Sequence, residues 1–506
     1  MMFRKILVAN RGEIAVRVVR ACREMGIRTV AVYSECDRRS LHVLLADEAV
    51  AIGPPPAVQS YLDMDRIIEA ARATGAEAVH PGYGFLAENA AFARACAAAG
   101  LVFIGPGADA LELVGDKVRA RRTMEKAGVP IIPGMSALPS DTKEFAAAAA
   151  ALGYPVIVKA SAGGGGKGMR IVNREKDLVA AVEAGMREAG SAFGDSSVYL
   201  EKYIAEPRHV EFQVLADTHG GVVHLFEREC SIQRRHQKIV EESPSPALNP
   251  VLRSRMGETA KRAMLAAGYT NAGTVEFLLD AEGRFYFMEV NARLQVEHPV
   301  TELVTGVDLV RQQVLVAAGR KLAFGQDEVH QRGQAIECRI YAEDPARNFL
   351  PSAGRVLFLK EPCGPGVRND SGIYGGWEVP VHYDPILSKL IVWAEDRETA
   401  CRRMAAALDD YVVLGVRTTV PFLRDVVRHP DFTAGRTTTA FIGRHFAEWK
   451  ESGAGEEELR LALAAAAFAE TDRPARAAGG AGAASAKQAD TPWTTLGGWR
   501  NGGPVG

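Results

Sequence analysis

The segment from Val275 to Asn291 constrains this chain more than any other. Two apolar, aromatic-rich runs flank Ala281-Glu282-Gly283-Arg284, a pattern that predicts a β-hairpin. With Ala281 to Arg284 as the loop, Asp280 faces Phe285, and counting outward sets Glu276 opposite Glu289. Asn291 lies two residues further along and shares that face. Carboxylates that face each other across a ladder repel. At ~5 Å and an effective dielectric of ~20 the cost is roughly 3 kcal/mol. A cation between them removes it. Two carboxylates and an amide oxygen form a hard, all-oxygen set, suited to Mg²⁺ or Mn²⁺ completed by water and phosphate. The alternative is an exposed edge on which both glutamates face water.

The chain of 506 residues exceeds one hydrophobic core, so two to four domains are expected. A formal net charge of −2 gives no reason to expect a nucleic-acid or membrane partner. No apolar run approaches the ~20 residues of a membrane span, and Met1-Met2-Phe3-Arg4-Lys5 leads straight into a strand. Cys22, Cys36, Cys96, Cys230, Cys338, Cys363 and Cys401 are scattered without a Cys-x-x-Cys pair, which reads as buried thiols in a reducing compartment. The expectation is a cytosolic enzyme.

The first hundred residues alternate strand and helix: strand Lys5–Ala9, helix Glu13–Met25, strand Thr29–Tyr33, a helix near Asp65–Thr74, strand Ala78–His80, helix Asn89–Ala99 and strand Val102–Ile104. That rhythm predicts a parallel α/β domain. Asn10-Arg11-Gly12-Glu13 stands where a dinucleotide fold carries Gly-x-Gly-x-x-Gly, so a dinucleotide site is poorly supported. From about Lys117 the pattern changes to a helix through Ala127, an alanine-rich helix, the strand ending at Lys159, a glycine cluster and the strand Ser197–Lys202. A strand-rich body follows, then a region from Ala335 to Arg444 that holds the helix Arg397–Leu408. Arg476 to Asp490, almost all Ala, Gly, Ser and a few charges, reads as a flexible linker.

Four stretches carry chemistry. Ala162-Gly163-Gly164-Gly165-Gly166-Lys167-Gly168-Met169 exposes backbone N–H groups as a phosphate cradle does, and Lys159 is placed to assist. It is not a Walker A loop, and its flexibility suits a lid. Glu201-Lys202-Tyr203-Ile204 ends a strand; its backbone reads an adenine edge or is an ordinary strand end. In Cys230 to Lys238, alternation puts Arg234, His236 and Lys238 on one face, concentrating positive potential for an anion. After the hairpin, Arg293, Gln295 and Glu297 alternate, so an extended segment aligns a guanidinium with a carboxylate. Arginine suits bidentate capture of bicarbonate or carboxylate, and Glu297 is either a general base or the arginine's salt-bridge partner.

Together these residues resemble the ATP-grasp family and, more closely, biotin carboxylases. The resemblance rests on Val8-Ala9-Asn10-Arg11-Gly12-Glu13-Ile14, His80-Pro81-Gly82-Tyr83-Gly84-Phe85-Leu86, Gly115-Asp116-Lys117 and Pro207-Arg208-His209-Val210-Glu211. It continues through Gln233-Arg234-Arg235-His236-Gln237-Lys238 and Glu289-Val290-Asn291-Ala292-Arg293-Leu294-Gln295-Val296-Glu297-His298, in family order to about residue 445. It implies a three-part α/β architecture: an N-terminal parallel α/β domain (1–120), an ATP-grasp domain (121–318) with a mobile glycine-rich lid (129–203), and an α+β C-terminal body (335–446). A tail (447–506) with a linker at 474–490 completes the chain.

The resemblance further implies ATP held by Lys117, Lys159, Gly165, Gly166, His209, Gln233 and His236, with Glu201, Lys202, Tyr203 and Ile204 along the adenine. Glu276, Glu289 and Asn291 would carry two Mg²⁺ or Mn²⁺ ions. Lys238, Arg293 and Val296 would hold bicarbonate and Glu297 would deprotonate it, giving carboxyphosphate. Arg339 would stabilise the biotin enolate. No Ala-Met-Lys-Met-like stretch is present, so biotin is expected on a separate carrier protein that works with a carboxyltransferase. Arg20 and Glu24 match family positions at a homodimer interface.

Thr491-Pro492-Trp493-Thr494-Thr495-Leu496-Gly497-Gly498-Trp499-Arg500 is similar to the start of the partner-contacting region of acyl-CoA carboxylase α chains. That places the first half-reaction nearer propionyl- or methylcrotonyl-type systems than the acetyl-CoA carboxylase built from separate subunits, with pyruvate carboxylase also open. Two other classes stand as alternatives: an ATP-grasp carboxylate–amine ligase, which needs no Arg293/Glu297/Arg339 set, and a catalytically silent regulatory protein.

Overall fold

The computed structural model describes residues 2–135, 142–161, 169–451 and 455–471. The N-terminal region forms a five-stranded parallel sheet in the order β3-β2-β1-β4-β5, from β1 (Lys5–Val8), β2 (Arg28–Ser34), β3 (Glu48–Gly53), β4 (Ala78–His80) and β5 (Val102–Phe103). The helix Gly12–Glu24 buries Ile14, Val18 and Cys22, one face of a 3.6-residue period. Asn89, expected to open a helix, instead caps Ala90–Ala98 by accepting from Phe92 N–H. The sheet also holds β3, an edge strand that the sequence reading does not include and in which only Ile52 is buried.

Next comes a three-stranded antiparallel sheet, β6 (Val156–Ala160), β7 (Arg170–Val172) and β8 (Val198–Lys202), in the order β7-β6-β8. Phe145 and Ala149 of the alanine-rich helix and Leu178 and Val182 of the helix Leu178–Phe193 pack on its Val156, Val158 and Leu200.

An eight-stranded sheet dominates the rest, and all of its neighbouring strands run antiparallel. Its order is β13-β12-β9-β10-β11-β14, followed by the strands Ile386–Ala394 and Val367–Ser371. The labelled strands are β9 (Arg208–Ala216), β10 (Val222–Arg234), β11 (Gln237–Ser243), β12 (Asn271–Leu279), β13 (Phe285–Asn291) and β14 (Gln334–Tyr341). Alternation sorts their faces. Val210, Phe212, Val275, Phe277, Phe285 and Phe287 join Met256, Ala260 and Met264 of the helix Pro250–Ala266 in one core. His209 and Glu276 point the other way, into a cleft.

The predicted hairpin is β12–β13, and Glu276 does pair with Glu289 and Thr274 with Asn291. The loop prediction needs correction. Leu279 pairs with Phe285, and Asp280 N–H donates to Arg284 O, so the turn closes one residue earlier than expected. A β-bulge at Met288 restores the count, since Phe277 pairs with Phe287 but Glu276 with Glu289. The bulge also lets Phe287 enter the core while Glu289, two residues on, faces the cleft.

The cysteines are free. Cys36 and Cys363 are exposed and the other five buried. No helix among the described residues is long and apolar enough to cross a membrane. A separate C-terminal unit begins at Ser452. Within it the helix Glu456–Thr471 occupies part of the expected tail, while the predicted linker lies outside the described residues.

Candidate active site

A cleft of about 1360 Å³ collects most of the predicted residues. Lys117, Lys159, Glu201, Lys202, Tyr203, Ile204, His209, Gln233, His236, Lys238, Glu276, Glu289, Asn291, Arg293, Val296 and Arg339 all line it. Glu297 lies fully buried behind Val296, and Gly165 and Gly166 fall outside the described residues.

Lys238 is the centre of charge. Its ammonium donates to Glu211 Oε2 at 2.5 Å, Glu276 Oε1 at 2.7 Å and Glu297 Oε1 at 2.7 Å. Arg228 Nε donates to Glu211 Oε1 at 2.5 Å. Arg339 donates from Nε to Glu241 Oε1 at 2.6 Å and from Nη2 to Glu297 Oε2 at 2.9 Å. Burial opposes ionisation of Glu297, yet Lys238 and Arg339 hold its pKa well below the ordinary carboxylate range. Burial likewise opposes ionisation of Glu276, and Lys238 and His209 hold it low. His209 Nε2 sits 3.1 Å from Glu276 Oε2, close enough for charge attraction although the N–H is not aligned for a hydrogen bond.

Glu289 differs. It makes no hydrogen bond or ion pair among the described residues, and burial together with the Glu276 charge raises its pKa. Asn291 accepts from Arg293 Nη2 at 2.9 Å, while its own buried amide nitrogen has no partner among the described residues. A half-buried carboxylate short of positive charge, beside a second carboxylate and an amide, fits a divalent cation. The water-facing alternative does not hold, because Glu276 is 4 % exposed. Lys117 faces the same region: burial lowers its pKa while Glu289 raises it. Lys159 Nζ is 3.0 Å from Glu201 Oε2, and Arg121 holds the other oxygen of that carboxylate at 2.8 Å. The N–H groups of Lys202 and Tyr203 already donate to Pro133 O and Pro155 O, so what that stretch offers a base here is not those two donors.

Two face assignments from the sequence fail. Arg234, Arg235, His236 and Gln237 form a tight turn, not continuous strand: Gln233 pairs with Lys238 and Arg234 with Gln237. Arg235 and His236 have φ of +49° and +68°, left-handed conformations that favour Gly or Asn and cost roughly 1–3 kcal/mol each. The turn brings His236 into the cleft, whereas Arg234 lies 3.5 Å from Glu343 and stacks over Phe349. Arg293 to Glu297 is not extended either. Arg293 Nη1 reaches Gln295 Oε1 at 2.9 Å, and Glu297 begins the turn into the helix His298–Thr305. The salt-bridge partner of Arg293 is Glu88, 3.0 Å away, and not Glu297.

Glu211, Arg228, Glu241 and Glu88 do not stand out in the sequence. Only Glu211 carries a signal there: it is two residues beyond His209 on a strand, hence on the same face.

Three family models match the chain: "Biotin carboxylase, N-terminal domain" over residues 2–111, "Carbamoyl-phosphate synthase L chain, ATP binding domain" over 116–324, and "Biotin carboxylase C-terminal domain" over 337–444. The biotin carboxylase of a Nostoc species is 53% identical over 442 residues, covering 87% of this chain and 99% of that protein. Propionyl-CoA carboxylase alpha chain of Ruegeria pomeroyi is 50% identical over 484 residues, covering 92% of this chain and 71% of the relative. Among solved structures, the biotin carboxylase domain dimer of Hydrogenobacter thermophilus 2-oxoglutarate carboxylase, in complex with MgADP, ADP and bicarbonate, superposes with a TM-score of 0.86. That domain is 47% identical, and the match covers 90% of this chain and 100% of the neighbour. With its parallel N-terminal sheet, its antiparallel body and the cleft they frame, the chain belongs to the biotin carboxylase family of ATP-grasp enzymes.

Proposed function

We propose that the chain carboxylates biotin carried on a separate protein, at the expense of ATP and bicarbonate, and releases ADP and phosphate. The observation that carries this reading is the Lys238–Glu297–Arg339 assembly at the floor of a cleft that also holds Lys117, Lys159 and Glu289. Lys117 and Lys159 pair with ATP phosphates, and His209, Gln233, His236 and the stretch Glu201–Ile204 complete the nucleotide site, with Gly165 and Gly166 as its cradle. Glu276, Glu289 and Asn291 would hold Mg²⁺ or Mn²⁺, which when bound neutralises spreading phosphoryl charge.

Arg293, Lys238 and the Val296 backbone orient bicarbonate, and Glu297 takes its proton. A bicarbonate oxygen attacks the γ-phosphorus, the bond to ADP breaks, and carboxyphosphate forms. It decomposes to CO₂ and phosphate beside biotin; the released phosphate takes the biotin N–H proton, Arg339 stabilises the resulting enolate, and the ring nitrogen bonds to CO₂. For Glu297 to accept a proton, the cations that hold its pKa low must turn toward substrate, so substrate binding itself tunes the base.

The division at 1–120, 121–318 with a lid at 129–203, and 335–446 is read as the working units of this cycle, the lid excluding water from carboxyphosphate. Exposed Arg20 and Glu24 are read as part of a homodimer interface. The carrier and a carboxyltransferase are the expected partners, and the cytosol the expected compartment. The match to the propionyl-CoA carboxylase alpha chain covers 92% of this chain against 87% for the Nostoc biotin carboxylase, which favours an acyl-CoA carboxylase as parent complex.

ATP hydrolysis measured with and without bicarbonate, and with and without free biotin, tests the reading. Bicarbonate dependence stimulated by biotin is expected. Dependence on an amine supports a carboxylate–amine ligase instead, and no hydrolysis supports a regulatory role.

A further inference from the structure

An ammonium group has three N–H donors and no acceptor. At Lys238 all three are engaged, by Glu211, Glu276 and Glu297. The three acceptors differ in what else holds them. The second oxygen of Glu211 is fixed by Arg228 at 2.5 Å, and that of Glu297 by Arg339 at 2.9 Å. The second oxygen of Glu276 meets only the unaligned His209. Glu276 also lines the cleft, where neither Glu211 nor Glu297 does. Its Oε1 also accepts from Gln295 Nε2 at 3.3 Å, but of the three it alone has no guanidinium donating to its second oxygen, and it is the carboxylate an arriving cation meets. Bicarbonate, in turn, finds Lys238 with no donor to spare.

Building on the function proposed above, we infer that a divalent ion taken up with nucleotide at Glu276 draws that carboxylate off Lys238 and frees one N–H for bicarbonate. The affinity for bicarbonate is then set by occupancy of the metal–nucleotide site, and linkage makes the effect reciprocal. Lys238 is the shared element: one ammonium counts the negative groups around it and accepts a new anion only when one is taken away.

The test uses the full chain and ADP, which lacks the transferable phosphate, so that binding is read without turnover. ¹³C-bicarbonate titrations followed by NMR are run with no addition, with ADP without Mg²⁺, and with ADP plus Mg²⁺. Bicarbonate should bind at least ~5-fold tighter with ADP plus Mg²⁺, the lower end of ordinary coupling, and ADP alone should not produce this. Mn²⁺ affinity in the presence of ADP, read by EPR, should rise by the same factor when bicarbonate is added. In Glu276→Gln the neutral amide holds Lys238 weakly. Bicarbonate should bind this variant more tightly than wild type without metal, and the metal effect should largely vanish.

Equal bicarbonate affinity in all three wild-type conditions overturns the inference while leaving the carboxylase reading intact. So does full coupling in a folded Glu276→Gln protein. Absence of bicarbonate binding under every condition, with ATP hydrolysis indifferent to bicarbonate, removes both.

Discussion

Two buried charge networks in this chain show what separates structural ion pairing from a receptor for cations. In the first, Arg17 pairs with Glu302 at 2.9 Å and Asp308 at 2.8 Å, Arg368 with Glu302 and Asp370 at 2.7 Å each, and Lys389 with Glu13 at 3.1 Å. It ties the helix Gly12–Glu24 to strands of the large sheet, and every carboxylate in it has a cation. In the second, Glu211, Glu276, Glu297 and Glu241 surround Lys238, Arg228 and Arg339, with Glu289 alongside and unpaired among the described residues. Both are built from the same side chains. The first is closed, each of its four carboxylates already holding one of its three cations, so it can only fix elements together. The second opens on a cleft and is short of positive charge, so it can take up a cation and respond to one.

The sharpest way to break this distinction is Glu297→Ala. Loss of a proton acceptor should lower carboxylation by roughly 10³-fold with nucleotide affinity kept, as read by steady-state rates and ADP titration. Normal turnover would sink the base assignment.

Arg368→Ala tests the closed network. Asp370 then keeps only Lys389, 4.0 Å away, while Glu302 keeps Arg17, so the loss should be about 1–3 kcal/mol in urea unfolding, with nucleotide affinity in the folded protein unchanged. A cost near zero would mean the network does not hold the fold.

Lys238→Met deepens the charge deficit of the open network. Mg²⁺ at a hundredfold excess over its Kd adds about 2.7 kcal/mol to any protein it binds only when folded. In thermal melts, Mg²⁺ at a fixed concentration should therefore raise the melting temperature of the variant more than that of wild type. Equal rises would show that the carboxylates do not seek a cation.

The smallest effects lie in pH, and their signs oppose. Burial pushes Asp370 up, but Arg368 and Lys389 hold it below its usual value of 3.8. Its contribution is therefore full above that value and is lost as pH falls through the lowered folded pKa. Asp370→Asn should remove this acid-side slope. Glu337 is buried with both oxygens lacking hydrogen-bond partners, and burial holds its pKa well above 4.5. Folding then becomes less favourable as pH rises above 4.5 toward the raised folded pKa. Glu337→Gln should match wild type near pH 5 and exceed it near pH 8 in urea unfolding; a parallel pH dependence would contradict the assignment.

Much of this is legible in the chain. Period-two and period-3.6 patterns locate the parallel sheet and the carboxylate hairpin, because local periodicity is written locally. The motif resemblance brings together residues as distant as Lys117 and Arg339. Pairings that depend on how strands stack cannot be read. Nothing near Arg293 announces Glu88, and nothing in Arg235-His236 announces left-handed turn residues, so simple alternation puts Arg234 on the wrong face. In the sequence Lys238 is one cation of a positive patch, whereas in the fold three acidic strands and loops converge on it.

The bulge at Met288 bears on how β13 can change length. Elsewhere in the strand, loss of a single residue turns everything beyond it over, carrying Glu289 or Asn291 from cleft to core. At Met288 the ladder already holds one residue too many, so its removal leaves Phe287 opposite Phe277 and Glu289 opposite Glu276. β13 thus has one position at which a codon can be lost without moving the carboxylate pair, and relatives of different length are expected to differ there before anywhere else in the strand.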